Sequence, residues 1–401
     1  MVISREEINA VMNVLKSGEL STFSTLKPNF LGGKTIKEFE KRFAEYHNSK
    51  YAIAVNSGTA ALHAAIAACG IGPGDEVIVP PYTFTSTATS VLMHNAIPIF
   101  ADIDKDSYCL DPNEIRKAIT PRTKAIIPVH LLGHPADMDG IMEIAKRHKL
   151  NIIEDAAQAI GAKYKGRLVG TIGDIGCFSF QEKKDVATGE GGMIITNDLQ
   201  LAERCRMIRN HGEVIVEGKK REYLSNILGW NYRMTEMEAA IGIVQLKKLN
   251  KLNDGKIKLA KFLSKNLRMN GVKTPHDSKD IKHVYHLYAI EYDENKVGIP
   301  IKDFSEALKA EGIPNAFGYP HPLYKNPLFR EKIVYGNQGC PFNCSFYKGS
   351  LDYKKCNCKV AEELCKKAIW FSVARPPATI DDMKDVVNAI KKIIENKSEF
   401  R

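Results

Sequence analysis

Seven short runs between residues 51 and 197 limit what this chain can fold into: YAIAVN (51–56), EVIVPP (76–81), IPIFAD (97–102), KAIIPVH (124–130), NIIED (151–155), CFSF (177–180) and GMIITN (192–197). Each is rich in apolar residues at both alternating positions, and stretches of helical periodicity separate them. A strand that is apolar on both faces needs cover on both faces, which helices crossing over between parallel strands supply. The expectation is an α/β fold built on a mostly parallel sheet. Open sheets of this kind bind ligands beyond the C-terminal ends of their strands, and most polar residues with chemical promise in this chain follow those ends.

The rest of the chain reads as a second unit. A long helical stretch at about 235–267 leads to a strand, HVYHLYAIEY (283–292), a helix near Lys302–Glu311 and a closing helix near Ile380–Ile394. We expect a large unit over residues 1–249, with an N-terminal helical segment. A smaller α+β unit follows over 250–401, with a cysteine-rich loop at 336–365. At 401 residues, 44% of them hydrophobic, the chain can fill more than one core. The start, MVISREEINAVMNVLKSGEL, is amphipathic and lacks the apolar core of a signal peptide, and no apolar run is long enough for a membrane span. A cytoplasmic protein without a membrane partner is expected. The net charge of +10 comes from Lys and Arg dispersed along the chain, which suits a solvated surface better than a nucleic-acid partner.

Three segments carry chemistry. In AVNSGTAALHAAIAA (54–68), Ser57, Gly58 and Thr59 join a strand to an Ala-rich helix. Gly permits close approach there, and the free N–H groups of the helix start can hold a phosphate, although Ser-Gly-Thr is also an ordinary helix cap. In IIEDAAQAIGA (152–162), Asp155 ends a strand. It could pair with the protonated ring nitrogen of a pyridoxal cofactor, or merely cap a helix. In CFSFQEKKDVATGEGGMIITN (177–197), Ser179 ends a strand and Lys183 and Lys184 occupy the following loop. A partly desolvated Lys there would be a nucleophile towards an aldehyde, whereas an exposed Lys pair in a turn would do nothing. Together, a phosphate-ready helix start, a strand-end Asp and a loop Lys preceded by a strand-end Ser form the set that a pyridoxal phosphate site requires.

With these motifs the sequence resembles the DegT and StrS family of sugar aminotransferases, which have the aspartate aminotransferase fold (fold type I). The resemblance runs through AVNSGTAAL, VIVPPYTFTSTA (77–88), EDAAQAIGA, SFQEKKDVATGEGGM, RNHG (209–212), NYRMTEMEAAIG (231–242) and HLYAI (286–290). It implies that Lys184, and not Lys183, forms the Schiff base with pyridoxal 5′-phosphate, and that Asp155 pairs with the pyridine nitrogen. It places Gln158 near the ring hydroxyl, Phe84 against the ring face, and Gly58, Thr59, Ala60 and Ser179 around the phosphate. Asn231 falls where the family reaches the phosphate of a neighbouring subunit, which implies a homodimer. His211, Tyr232, Tyr319 and His321 are further candidates near substrate. The implied reaction is a ping-pong transfer of an amino group from glutamate or glutamine to a keto-sugar, nucleotide-linked or not, or to a keto-cyclitol such as scyllo-inosose.

Two features lean towards the cyclitol branch: the long N-terminal stretch 17–40, and Gly318 in GYPHPLYKNPLF (318–329), where many sugar-nucleotide members carry His. Relatives that dehydrate a sugar with the same cofactor carry His in place of the Schiff-base Lys, so Lys184 speaks against that alternative. A non-catalytic binding protein of the same fold should have lost one of these groups. The thiols of Cys340, Cys344, Cys356 and Cys358, with Cys365 nearby, could ligate zinc or an iron–sulfur centre, but their spacing matches no common zinc module. No metal is expected in the chemistry.

Overall fold

The computed structural model describes residues 3–23, 30–213, 224–336 and 338–400. The long N-terminal stretch that drew attention above therefore lies partly outside the described residues, at 24–29. All seven runs are strands of one sheet: β1 (Tyr51–Val55), β2 (Glu76–Val79), β3 (Ile97–Phe100), β4 (Thr123–Ile126), β5 (Asn151–Asp155), β6 (Ile175–Ser179) and β7 (Gly192–Thr196), in the order β1-β7-β6-β5-β4-β2-β3. Only β7 runs antiparallel to its neighbours β1 and β6; the remaining pairings are parallel. The sheet is thus mixed but mostly parallel, as expected.

Helices cover it: α1 (Arg5–Ser17), α2 (Lys34–His47), α3 (Gly58–Ala68), α4 (Ser86–Met93), α5 (Pro112–Ala118), α6 (Met138–His148), α7 (Leu199–Arg209) and α8 (Glu236–Asn266). Helix α3 is buried all round from Ala60 to Ala68, and small Ala side chains let it lie between the sheet and α4 and α7. Its start is fixed by Ser57, whose Oγ accepts from the Ala60 N–H at 3.0 Å. Helix α8 opens with a capping box of Thr235 and Glu238, and packs on α1 and α2. It is continuous through residue 250, the expected joint between the two units. A buried Glu236 at its first turn accepts from the backbone N–H groups of Gly33, Thr35 and Ile36, tying the start of α2 to α8.

The C-terminal unit has an antiparallel sheet of β8 (Val272–Lys273), β9 (Tyr288–Tyr292), β10 (Asn315–Phe317) and β11 (Ala368–Phe371), ordered β8-β9-β11-β10. Helices α9 (Ile301–Ala310), α10 (Lys359–Lys367) and α11 (Ile380–Glu395) accompany it. The strand expected at 283–292 is shorter. Residues 283–287 leave the sheet because their N–H groups turn to the loop after β4, with Val284 donating to Gly133 O at 3.0 Å and His286 to Leu132 O at 2.8 Å. The cysteine-rich segment packs on the core of the large sheet. Tyr347 donates to Glu76 of β2 at 3.0 Å, Tyr353 to Pro98 O of β3 at 2.7 Å and Tyr335 to Leu92 O of α4 at 2.9 Å, so two phenols cover the β2–β3 edge and a third reaches the helix that joins these strands. Among the described residues no helix is long and apolar enough to cross a membrane.

Candidate active site

Strand β5 ends in two carboxylates that alternate to opposite faces. Glu154 is fully tied: it accepts from the N–H groups of Gly170, Ile172 and Gly173 at 2.7, 2.6 and 2.6 Å, and His130 Nε2 lies 2.9 Å away. Ala136 N–H donates to His130 Nδ1, so the ring proton sits on Nε2 and points at Glu154. Burial would raise the Glu154 pKa, yet His130 and these donors hold it below the usual carboxylate range. This residue anchors the loop before β6.

Asp155 is served less fully. Thr87 Oγ1 donates to it at 2.8 Å and the Ala157 N–H at 3.2 Å. Burial pushes its carboxyl up, while Thr87, Ala157 and the charges of Lys184 and His130 pull it down. The segment after Asp155 forms turns and no helix, so the helix-cap reading of this residue fails.

Lys184 lies in the turn after β6, where its N–H donates to Gln181 O at 2.8 Å. Lys183 is exposed; Lys184 is only partly so. Burial lowers the Lys184 pKa, and Asp155 and Asp185 oppose that shift. A larger share of neutral amine is what a nucleophile needs, and the opposite charges of Asp155 and Lys184 act on each other across a partly desolvated space.

A third part is the helix start. A Cβ built on Gly58 would stand 2.8 Å from Ser179 Cβ and 3.3 Å from its Oγ, so the Ser179 hydroxyl lies against the first turn of α3. The first turn of α3 and this hydroxyl thus lie side by side, and the helix dipole favours an anion there. The Ala60 N–H is already engaged by Ser57. Gln158 Oε1 accepts from Leu132 N–H at 2.8 Å, and Gln158 also meets the Tyr319 hydroxyl. Tyr319 stands edge-on between Tyr82 and Trp370, at centroid distances of 5.1 and 5.0 Å. Phe84, in the turn between β2 and α4, is 59% exposed, unusual for an aromatic ring beside so dense a core.

The other candidates make their visible contacts elsewhere. The Tyr232 hydroxyl is 2.8 Å from His63 Nδ1 on α3, and its ring stacks with Trp230. Asn231 is exposed and pairs through its backbone with Asn210; His211 is exposed at a left-handed φ of 59°. His321 is exposed, with Nε2 2.5 Å from Asn326 in its own loop.

The sequence profile of the DegT/DnrJ/EryC1/StrS aminotransferase family matches residues 2–348. The chain belongs to that family. A GDP-perosamine synthase of Caulobacter vibrioides is 46% identical over 74% of this chain and 79% of its own length. An L-glutamine:2-deoxy-scyllo-inosose aminotransferase of Streptoalloteichus tenebrarius is 33% identical over 99% of this chain and 94% of its own. The structure of S. venezuelae DesV in complex with a ketimine intermediate superposes with a TM-score of 0.83 at 32% identity, covering 98% of this chain and 95% of that one. The fold of this family member is thus the fold of pyridoxal phosphate-dependent aminotransferases, and the enzyme is a transaminase.

Several residues of this aminotransferase were missed from sequence. Thr87, whose hydroxyl donates to Asp155, stands within VIVPPYTFTSTA, where nothing local marks it out from the other threonines. Asp185, next to Lys184, forms a buried ion pair with Lys256 of α8 at 2.7 Å, and Arg375 reaches the same carboxylate at 3.6 Å. Lys256 did leave a signal, because it falls among the buried positions 249, 253, 259, 260 and 263 of α8, where a lysine needs a partner. Among the described residues no three His, Cys, Asp or Glu side chains converge on a metal position. In the cysteine-rich segment the Cys340 and Cys344 thiols interact with each other, Cys356 is partly buried and Cys358 is buried.

Proposed function

We propose that this transaminase carries pyridoxal 5′-phosphate on Lys184 and passes an amino group from glutamate or glutamine to a keto-sugar or keto-cyclitol. The observation that carries the reading is the juxtaposition of Lys184 and Asp155: a half-buried amine with a lowered pKa beside a buried carboxylate held by one hydroxyl and one N–H. The residues suit the cofactor. A protonated ring nitrogen would give Asp155 the close cation that burial demands, the α3 start and Ser179 offer donors to a phosphate, and the exposed Phe84 ring offers a face for stacking. When bound, the cofactor supplies an aldehyde that condenses with amines and a ring that accepts electrons from the carbon losing its proton.

The chain's own part follows from these positions. Asp155 holds a proton on the ring nitrogen, Gln158 orients the ring hydroxyl, and Gly58, Thr59 and Ser179 fix the phosphate; Ala60, whose N–H is shared with Ser57, adds to the closeness of the cradle. Lys184, once displaced by a substrate amine, is the base that moves the proton. Asn231, which is exposed, would serve the phosphate of a second subunit in a homodimer, as the family resemblance implies.

Reduction of the yellow protein with borohydride should fix the cofactor's mass on the peptide containing Lys184. A Lys184→Ala protein that retains both the band and the label would refute the assignment. Offering glutamine or glutamate with scyllo-inosose and with keto-sugar nucleotides, and measuring the amine formed, separates the two acceptor classes. The full-length similarity to the inosose aminotransferase supports the cyclitol, and the higher identity to the GDP-perosamine synthase over three quarters of the chain supports the nucleotide sugar.

A further inference from the structure

Arg375 follows β11 of the C-terminal sheet, yet its guanidinium lies over the turn that carries the lysines. Its Nη2 donates to Lys184 O at 3.2 Å and its Nη1 to Lys183 O at 3.5 Å. The same Nη2 is 3.6 Å from Asp185, whose other carboxylate oxygen is 2.7 Å from Lys256 Nζ. Both members of that pair are buried. The loop carrying Arg375 is seated on α8 one residue from Lys256: a Cβ on Gly255 would meet Pro376 Cγ at 2.7 Å, so only glycine lets Pro376 press against the helix there.

We propose that Arg375, seated by the buried Asp185–Lys256 pair, is a positioning residue through which the C-terminal sheet fixes the Lys183–Lys184 main chain and aims the Lys184 amine. This rests on the reading that Lys184 holds the cofactor.

The chemistry favours a main-chain clamp. A guanidinium presents its donors in a rigid plane, and here two of them meet consecutive carbonyls, a task a single ammonium cannot perform with the same geometry. A buried ion pair such as Asp185–Lys256 is poor evidence for stability, since apolar residues of the same volume often do as well, whereas removing one partner strands a charge. Such a pair is better explained by what it holds in place, and what touches it is Arg375. The arrangement makes β11 and α8 joint supports of the lysine turn, so the amine moves with the C-terminal unit.

Replacing Arg375 leaves Asp185 and Lys256 paired, so it perturbs the clamp without stranding a charge. The test compares wild-type, Arg375→Met and Arg375→Lys proteins, each stripped of cofactor. The first readout is the rate at which pyridoxal phosphate condenses with Lys184, amine plus aldehyde giving imine plus water, followed by absorbance. The second is kcat and KM for the amino donor. Arg375→Met should slow condensation about tenfold and lower kcat by a similar factor, with donor KM within about twofold, and Arg375→Lys should recover part of both. Wild-type condensation by Arg375→Met would overturn the proposal, as would a raised donor KM at unchanged condensation, which would mark Arg375 as a substrate contact. A lowered melting temperature with unchanged rates would make it a structural tie only and equally overturn it. Should Arg375→Met not fold, Arg375→Lys decides alone, a wild-type condensation rate again overturning the clamp. Failure of the underlying reading is seen separately, in a Lys184→Ala protein that still condenses with the cofactor.

Discussion

Gly58→Ala tests the anion cradle at the start of α3 with a single methyl group. The new Cβ would stand 2.8 Å from Ser179 Cβ and 3.4 Å from Ser179 Cα. Carbon atoms rest at about 3.5–4.0 Å, so α3 and the end of β6 must separate by about 0.7–1.2 Å. Overpacking of this size costs about 1–3 kcal/mol. Because the two elements that must part are the two that would grip the phosphate, the strain is relieved by widening the cradle, and the loss falls on binding as well as on stability. Charge-assisted hydrogen bonds are worth about 1.5–3 kcal/mol each, so weakening one of them should reduce cofactor affinity about tenfold or more. The assay is equilibrium titration of cofactor-free protein with pyridoxal phosphate and, in parallel, with pyridoxal. The variant should lose affinity for the phosphorylated form alone. Gly72→Ala is the control, since a Cβ there meets nothing within 4 Å. Folded Gly58→Ala protein that binds pyridoxal phosphate as the wild type does, or that loses affinity for both forms equally, would refute the cradle.

Other expectations follow from the same contacts. Lys183→Ala should keep the yellow band and at least half of the activity, because its side chain is exposed, whereas Lys184→Ala should lose both; activity measurements on the pair check this. Asp155→Asn should keep the Thr87 contact but lose the charge, lowering kcat by about 100-fold, as removal of one preorganised electrostatic group does elsewhere. Phe84→Ala should weaken cofactor binding by about 1 kcal/mol, roughly fivefold, measured by the same titration. Glu7, though buried, is held by Lys248 and Ser4 at a pKa of about 2 against 4.5 when free. Its carboxylate therefore stabilises the fold above pH 4.5, and this contribution fades as pH falls towards 2. The full shift would be worth about 3 kcal/mol, and screening of the partly exposed Lys248 reduces this to about 1–2 kcal/mol. Unfolding of Glu7→Gln protein should show that deficit at neutral pH and converge on the wild type in acid.

What could be read in the sequence, and what could not, divides along a physical line. The seven strands were legible because each is apolar at both alternating positions, a pattern that only a sheet covered on two sides rewards, and the start of α3 was legible because Ser57 advertises its cap locally. Asp155 and Lys184 were legible as a pair only through a strand end and the loop after the next strand, on which they sit; taken singly, each had an ordinary turn or cap explanation. The misjudged parts are those decided by partners far along the chain. Residues 283–287 have strand composition, but their N–H groups are claimed by the loop at Leu132 and Gly133. The cysteine-rich segment gave no periodic signal, and its place is set by Tyr347 and Tyr353 reaching the β2–β3 edge and Tyr335 reaching α4.

The same line runs through the active site. Groups that would touch the cofactor come from strand ends within one sheet, so short motifs carry them. Groups that hold Lys184 in place come from α8 and from the loop after β11, and no local pattern links Lys256 or Arg375 to a lysine turn that precedes both. One signal was nonetheless present: Lys256 occupies a core-facing position of α8, and a buried ammonium requires a carboxylate. The carboxylate that meets it is Asp185, which neighbours Lys184. Read in that direction, a lysine on the apolar face of a helix is a pointer to the active site, and the C-terminal unit is part of the machinery that presents the amine.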